Sequence, residues 1–369
     1  MGKGKSIVLK PLFRGDNRHF TQGVVDTAKE ADERRYYVNF KEAYIAFRGE
    51  QADFYLGKRL YSWGKAEGFN PTDNINPYDF MDFLDREKLG VFSASVEYAI
   101  GESTVEVVLI PLFTPSRLPE QNNRWAGNVE DQVTITTVSQ LPQADLRGRE
   151  VPANTLENTQ MAGRLKTTIS GWDFALSIYH GMDSIPAAEE EVIAGTTYYT
   201  PKFNPINEYG FATATTFDKL ELHAEVSHRD TLHGNDDDFI AYIAGGSYSW
   251  DELGELIEKL SLYFEYAGEG ITLGKRNPNR HSSSSYSRPF KNSVLGSLVF
   301  KFNEDAEFQL GGSYNISDDD YYIQPKATYK FSDKLKLKAG FDILRGDRET
   351  FWGKWRKNDR FFAHLIWHF

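Results

Sequence analysis

The chain has 369 residues, no Cys, and 42 Lys and Arg against 53 Asp and Glu, for a net charge of -11. That charge argues against nucleic acid as a partner, and the missing thiols exclude a disulfide framework or a cysteine nucleophile or ligand. Aromatic residues reach 14% while mean hydropathy is only -0.52, and no apolar run approaches the roughly 20 residues of a membrane helix.

Alternation of apolar and polar side chains marks strands. The first covers residues 5–13. A polar stretch follows at 16–34, with a short helix as an option from Val24 onward. The second strand, 35–48, puts Ala43, Ile45 and Phe47 on one face and Glu42, Tyr44, Ala46 and Arg48 on the other. After a tight connection, a third strand is read over 54–65. Its alternation breaks, because Phe54, Leu56 and Leu60 share a face with Lys58, and Tyr55, Tyr61 and Trp63 share one with Arg59. A long loop, 66–90, carries Asn-Pro twice.

Phe92, Ala94, Val96 and Tyr98 then alternate with Ser93, Ser95 and Glu97, and 105–113 returns. A polar loop runs to about Glu157. Strand 161–169 carries Arg164 and Lys166 on its polar face, and Phe174, Leu176 and Ile178 define the next. An acidic loop around Glu189, Glu190 and Glu191 precedes a long strand over 197–217. The second half is regular, with strands at 222–226, 240–250, 260–266, 294–302, 308–314, 323–331 and 335–343. Lys326, Lys330, Lys336, Lys338 and Asp342 lie on polar faces there. The final strand has Phe361, Ala363, Leu365, Trp367 and Phe369 on one side and Arg360, Phe362, His364, Ile366 and His368 on the other. A terminal aromatic of this kind resembles the assembly signal of bacterial outer-membrane barrels.

About sixteen strands result, joined by alternately short and long connections, as in outer-membrane barrels; about fourteen or eighteen lie within boundary error. The expected fold is all-β: a transmembrane antiparallel β-barrel forming a single domain over 1–369, with long extracellular loops and both chain ends on the short-turn side. Only alternate residues of such strands meet lipid, which reconciles the low hydropathy with a membrane location. Barrels of roughly 16–18 strands leave a water channel. The many ions on the inward face, burial of which would cost several kcal/mol each, imply a wet lumen. Bases cluster late in the chain, so one side of that lumen is expected to be positive.

The run Gly57-Lys58-Arg59-Leu-Tyr-Ser-Trp63-Gly64-Lys65, followed by Asn74-Ile75-Asn76-Pro77-Tyr78-Asp79, resembles the signature of a family of Gram-negative outer-membrane barrels. That is domain-of-unknown-function family thirteen-oh-two, distantly similar to alginate-export barrels. Lys58 stands where that family has Arg, and Arg59 where it has Gln. Lys41-Glu42-Ala43-Tyr44 also fits. The resemblance covers residues 37–118 and implies an outer-membrane channel for a hydrophobic or oligomeric cargo. Asn76-Pro77 also reads as a helix start, with Phe80, Phe83 and Leu84 on one helical face. The expected constriction is this segment folded into the lumen, Asp79, Asp82, Asp85 and Arg86 facing Lys58, Arg59 and Lys65. Its alternative is a cap over the rim. Glu42, Arg48, Arg164, Lys166, Lys326 and Lys338 complete the expected channel lining.

No catalytic, metal or cofactor site is expected. His364 and His368 stand about 13 Å apart on a strand, too far to share one metal, and no nucleophile-elbow or phosphate-loop motif occurs. The expected role is a porin for passive or facilitated passage of small solutes. Its rivals are a dedicated exporter with a periplasmic partner and a sheath that holds a protein such as a cytochrome. Expected contacts are outer-membrane lipid, lipopolysaccharide and, through the last strand, the barrel-assembly machinery. The N-terminus has no apolar export segment, so any signal is read as removed or left out.

Overall fold

A computed structural model describes residues 4–13, 38–119, 124–125, 145–146, 151–234, 236–274, 280–281 and 288–367. The suggested helix from Val24 and the terminal Phe369 lie outside them. One antiparallel sheet of 16 strands dominates, each paired with its neighbours in chain order. The strands are β1 Gly4–Phe13, β2 Val38–Arg48, β3 Ala52–Arg59, β4 Val91–Ile100, β5 Ser103–Ile110, β6 Gln160–Ile169, β7 Trp172–Met182 and β8 Pro205–Phe217. The second half comprises β9 Leu220–Thr231, β10 Asp238–Leu253, β11 Ile257–Leu273, β12 Asn292–Lys301, β13 Ala306–Asn315, β14 Asp320–Ser332, β15 Leu335–Arg345 and β16 Arg360–Trp367. Short turns such as Asp218-Lys219 alternate with longer connections all the way round.

The sheet's edges are β1 and β16, and it is strongly rolled. Glu87 accepts a hydrogen bond from Lys41 Nζ on β2 at 3.0 Å, while Asp82 in the same segment holds Arg360 on β16. The stretch from Asp82 to Glu87 reaches at most about 18 Å. In a flat sheet β2 and β16 would stand about 65 Å apart, at about 4.8 Å per strand. Only a sheet curled round on itself brings both to one short segment.

Side chains are distributed inside out. The outward face is apolar and exposed: Phe361, Leu365 and Trp367 on β16 are 62%, 68% and 70% exposed, and Phe54, Leu56, Leu176, Ile178, Phe264 and Phe341 continue the belt. The inward face buries Glu42, Glu106, Glu208, Glu225, Glu265 and Asp342. In water an apolar surface of this extent would drive association; against lipid it is favourable. No helix among the described residues is long and apolar enough to cross a membrane.

Three readings of the sequence are corrected. The strand expected over 197–217 is two, because Thr196–Lys202 leaves the wall and forms a hairpin with Ala187–Ile193. The acidic loop is thus itself a strand. Arg280–His281 and Asp145–Leu146 extend that hairpin into a separate four-stranded sheet. The third strand stops at Arg59 rather than Lys65. The backbone of Tyr61 bonds to loop groups instead of the ladder, its N–H donating to Asn76 Oδ1 at 2.6 Å and its carbonyl accepting from Lys88 Nζ at 2.8 Å. No helix follows Asn76-Pro77. Tyr78–Asp79 pairs with Glu87–Lys88 as a small hairpin.

Because the chain has no Cys, two single substitutions on β16 test the facing. In lipid vesicles, H364C should react with a water-soluble thiol reagent and L365C should be protected. The reverse pattern would show that the faces are misassigned.

Candidate functional site

The chain between β3 and β4 leaves the wall and crosses the interior. Gly57 starts the departure, with a φ of 132° and a would-be Cβ 2.4 Å from the Ala43 carbonyl oxygen. Any side chain there would both strain the backbone and collide with β2. Arg59 then anchors the exit. Its guanidinium lies 3.7 Å from the centroid of Tyr55, donates to Ser95 Oγ at 2.5 Å and approaches Glu97 at 3.7 Å. Trp63 is buried and donates from Nε1 to Glu106 at 3.1 Å. Arg164 lies 5.0 Å from its ring and bonds the same carboxylate at 2.8 Å. Gly64 leaves no room for a side chain, since a Cβ would stand 1.9 Å from Asn70 Oδ1.

The crossing itself is held by two wall carboxylates. Glu225 on β9 accepts from the backbone N–H groups of Lys65, Ala66 at 2.7 Å and Thr72 at 3.3 Å, and from Thr72 Oγ1 at 2.7 Å. Glu265 on β11 accepts from the N–H groups of Glu67 at 2.9 Å and Gly68 at 3.0 Å, and pairs with His223 at 2.7 Å. Hydrogen bonds to a charged acceptor contribute about 1.5–3 kcal/mol, and buried donors left unmet cost a similar amount. Tyr61, Trp63 and Ile75 meanwhile pack against Val91, Val108, Ile110, Ala162, Tyr179 and Ile206 of the wall.

Past Asn76 the segment folds as turns. The Asp79 carboxylate accepts from Met81 N at 3.0 Å, and Asp82 accepts from Leu84 N at 3.1 Å and Asp85 N at 3.3 Å. Such side-chain caps compete with a helix. Asn76 is diverted too, donating to the carbonyls of Arg59 at 3.2 Å and Leu89 at 2.8 Å, so it ties the two ends of the segment together. The apolar residues expected to share a helical face still pack inward. Phe83 is the centre of an aromatic cluster, 4.5 Å from Trp355, 5.5 Å from Phe351 and 6.0 Å from Trp352 between ring centroids. Trp125 stands 5.5 Å from Trp355 and accepts its indole N–H on the backbone carbonyl at 3.1 Å.

The structure brings together only part of the expected constriction. Asp79 pairs with Arg117 at 3.3 Å and Asp82 with Arg360, not with the basic residues of β3. Lys65 pairs with Asp173 at 2.9 Å, and Lys58 donates to Asn39 at 3.1 Å. Asp85 is exposed. Arg86 lies over Tyr78 and Phe83, at 5.4 and 6.0 Å. Glu42 is buried, binds Lys10 and accepts from Leu60 N at 3.3 Å. Arg48 is exposed at the short-turn end. Lys166, Lys326 and Lys338 are half-buried on β6, β14 and β15. The roles of Glu225, Glu265, Arg117, Trp125 and Trp355 were not visible in the sequence. Alternation marks the first two as inward acids, but nothing local names the amides they hold.

No protein family and no curated protein matches the chain, so the resemblance to family thirteen-oh-two rests on its motif residues alone. Among solved structures, the chain is similar to a double mutant of Rhodopseudomonas blastica porin, with 11% identity over 99% of this chain and 96% of that one, and a TM-score of 0.41. It is similar also to a chain described under "Asymmetric conductivity of engineered proteins", with 12% identity over 91% and 93% and a TM-score of 0.40. Outer-membrane expressed OmpT of Vibrio cholerae gives 10% identity over 86% and 75%, with a TM-score of 0.39. These likenesses are coarse, and the fold rests on the strand pairing above.

The crossing contacts can be tested by proteolysis. In the E225A, E265A double variant the released crossing should become sensitive to trypsin after Lys65, with cleavage at least about tenfold faster, given the loss of several bonds at about 1.5–3 kcal/mol each. Unchanged cleavage would mean that the wall carboxylates do not hold it. The aromatic cluster has a signature in pH. Lys354 is buried 4.5 Å over Phe351 and 4.2 Å over Trp355, and burial brings its ammonium down to about 7. Between about 7 and 10 the unfolded chain binds the extra proton, so stability gains as pH rises through that window. The detergent-solubilised protein should melt at higher temperature at pH 9.5 than at pH 7, and K354M should flatten the difference.

Proposed function

We propose that the chain is an outer-membrane channel that passes small solutes by diffusion through a water-containing lumen narrowed by its own segment 60–90. The observation that carries this reading is the inside-out wall with irregular backbone held across its interior. Non-helical backbone at membrane depth is tolerated where it is buried in protein or lines a water-filled cavity, and Glu225 and Glu265 supply that protein environment. The apolar belt supports a place in a bilayer, and a sheet of this strand number favours the outer membrane of a Gram-negative bacterium. Closing the wall between β1 and β16 is part of this reading, because an open sheet edge is not tolerated in lipid.

The inward charges are largely paired: Arg164 with Glu106, Arg229 with Asp183 and Glu208, Arg288 with Asp237 and Glu269, and Arg360 with Asp342. They act as cross-braces of the interior, which leaves few mobile charges to set ion preference. The chain's own aromatic cluster occupies much of the space that a sheathed partner protein would need, so a channel fits better than a sheath. Passage requires no covalent chemistry.

Planar-bilayer recording of the refolded chain tests this reading. Stepwise currents are expected, smaller than those of an unobstructed barrel of this size. Deleting residues 77–85 removes the tip that packs on Trp352 and Trp355, and should raise the single-channel conductance. A deletion variant that folds and conducts as the parent does would overturn the constriction.

A further inference from the structure

Between the tip of the inward segment and the inner wall of β11–β14 lies a cavity of about 320 Å³. Five aromatic side chains line it, Phe83, Tyr263, Phe290, Tyr322 and Trp352, beside Leu84, Pro289 and Leu295. Arg86 borders it, and borders a smaller cavity of about 120 Å³ beside Asp183 and Glu208. Arg86 thus stands at the junction of two spaces.

Most inward guanidinium groups hold a carboxylate, as Arg59, Arg117, Arg164, Arg229, Arg288 and Arg360 do. Arg86 differs from these. Among the described residues it makes no hydrogen bond or ion pair, only the ring contacts with Tyr78 and Phe83. A planar guanidinium with its donors unspent matches a carboxylate in bidentate geometry. The aromatic walls beside it suit a flat ring, which gains from edge-to-face and stacked contacts.

The wall beyond the cavity adds two further cations, with the acids Glu307 and Asp342 near Lys326. Gln309 and Gln324 line it. Lys326 stands opposite Gln309 in the β13–β14 register, and Lys338 opposite Thr328 in the β14–β15 register. Neither lysine has an ion-pair partner among the described residues. Successive inward positions along a strand are about 6.6 Å apart, so these cations follow the cavity toward the short-turn end. One acid, Glu67, also borders the space. It lies beside Glu265, which accepts its backbone N–H at 2.9 Å.

We propose that this cavity is a binding site for a small aromatic carboxylate, whose carboxylate meets Arg86 and whose ring lies among Phe83, Tyr322 and Trp352. The site deepens the channel reading by naming its solute class, and rests on that reading for passage though not for binding. Lys326 and Lys338 offer the next contacts along the wall.

The test uses the full chain refolded in a planar bilayer, with benzoate, acetate and benzyl alcohol as probes. Benzoate should interrupt the chloride-salt current at concentrations where acetate and benzyl alcohol do not. R86Q should raise the half-blocking benzoate concentration at least tenfold while still conducting, and R86K should fall between. Equal block by the three probes, or a conducting R86Q blocked like the parent, overturns the site. If R86Q does not conduct, R86K decides in its place. A folded parent with no current overturns the channel reading instead. Quenching of tryptophan fluorescence by benzoate in detergent, lost in R86Q, would then uphold the site, and its absence in the parent would overturn it.

Discussion

A carboxylate on a strand inside the wall, accepting N–H groups from backbone that has no ladder of its own, is the interaction on which the interior depends. Residues 60–90 carry irregular backbone into a space where an unmet amide is costly. Glu225 and Glu265 answer for Lys65, Ala66, Glu67, Gly68 and Thr72. Asn76 and Lys88 answer for Tyr61. With the backbone so satisfied, apolar side chains on either side can pack: Trp63 and Ile75 toward β4–β8, and Phe80 and Phe83 toward the opposite wall.

The interior therefore has two regimes. On one side a packed cluster of Trp125, Trp352, Trp355, Phe83 and Phe290 behaves like the core of a soluble domain. Around it, paired ions brace the wall, each pair placing a long side chain in a fixed position. The proposed channel between these regimes is shaped by side chains held in fixed positions. Its chemistry comes from the few inward groups without an ion-pair partner among the described residues, which include the cations Arg86, Lys326 and Lys338.

The wall was legible in the sequence because a strand has period two and one face meets apolar surroundings along its whole length. The outward and inward sets of β9 to β16 follow directly from alternation, as does the number of strands. Three features were not legible. The end of β3 depends on Asn76 and Lys88 competing for the backbone of Tyr61, a contact between residues far from it in sequence. The stretch 76–86 has the cap and apolar spacing of a helix, yet Asp79 and Asp82 close Asx-type turns and the chain pairs with Arg117. The run 197–217 reads as one strand because Thr, Tyr and Phe favour extended structure whichever sheet they join; Pro201 and Pro205 are the local hints that it divides. As for the candidate site, the segment and Arg86 were visible in the sequence, whereas the partners of Asp79, Asp82 and Lys65 were not, since charge pairing across a barrel leaves no local trace.

The bonds from Ala66 to Glu225 and from Glu67 to Glu265 join residues 159 and 198 positions apart. Contacts of such sequence separation are slow to form. The crossing segment has no anchors until β9 and β11 are in place. The apolar residues Trp63, Phe80 and Phe83 must then be kept from wrong associations until the second half of the wall is in place. The order of assembly is thereby constrained: the interior can set only after the wall has rolled around it, and a delay in β9 to β11 would leave an unplugged or misfilled barrel rather than an unfolded one.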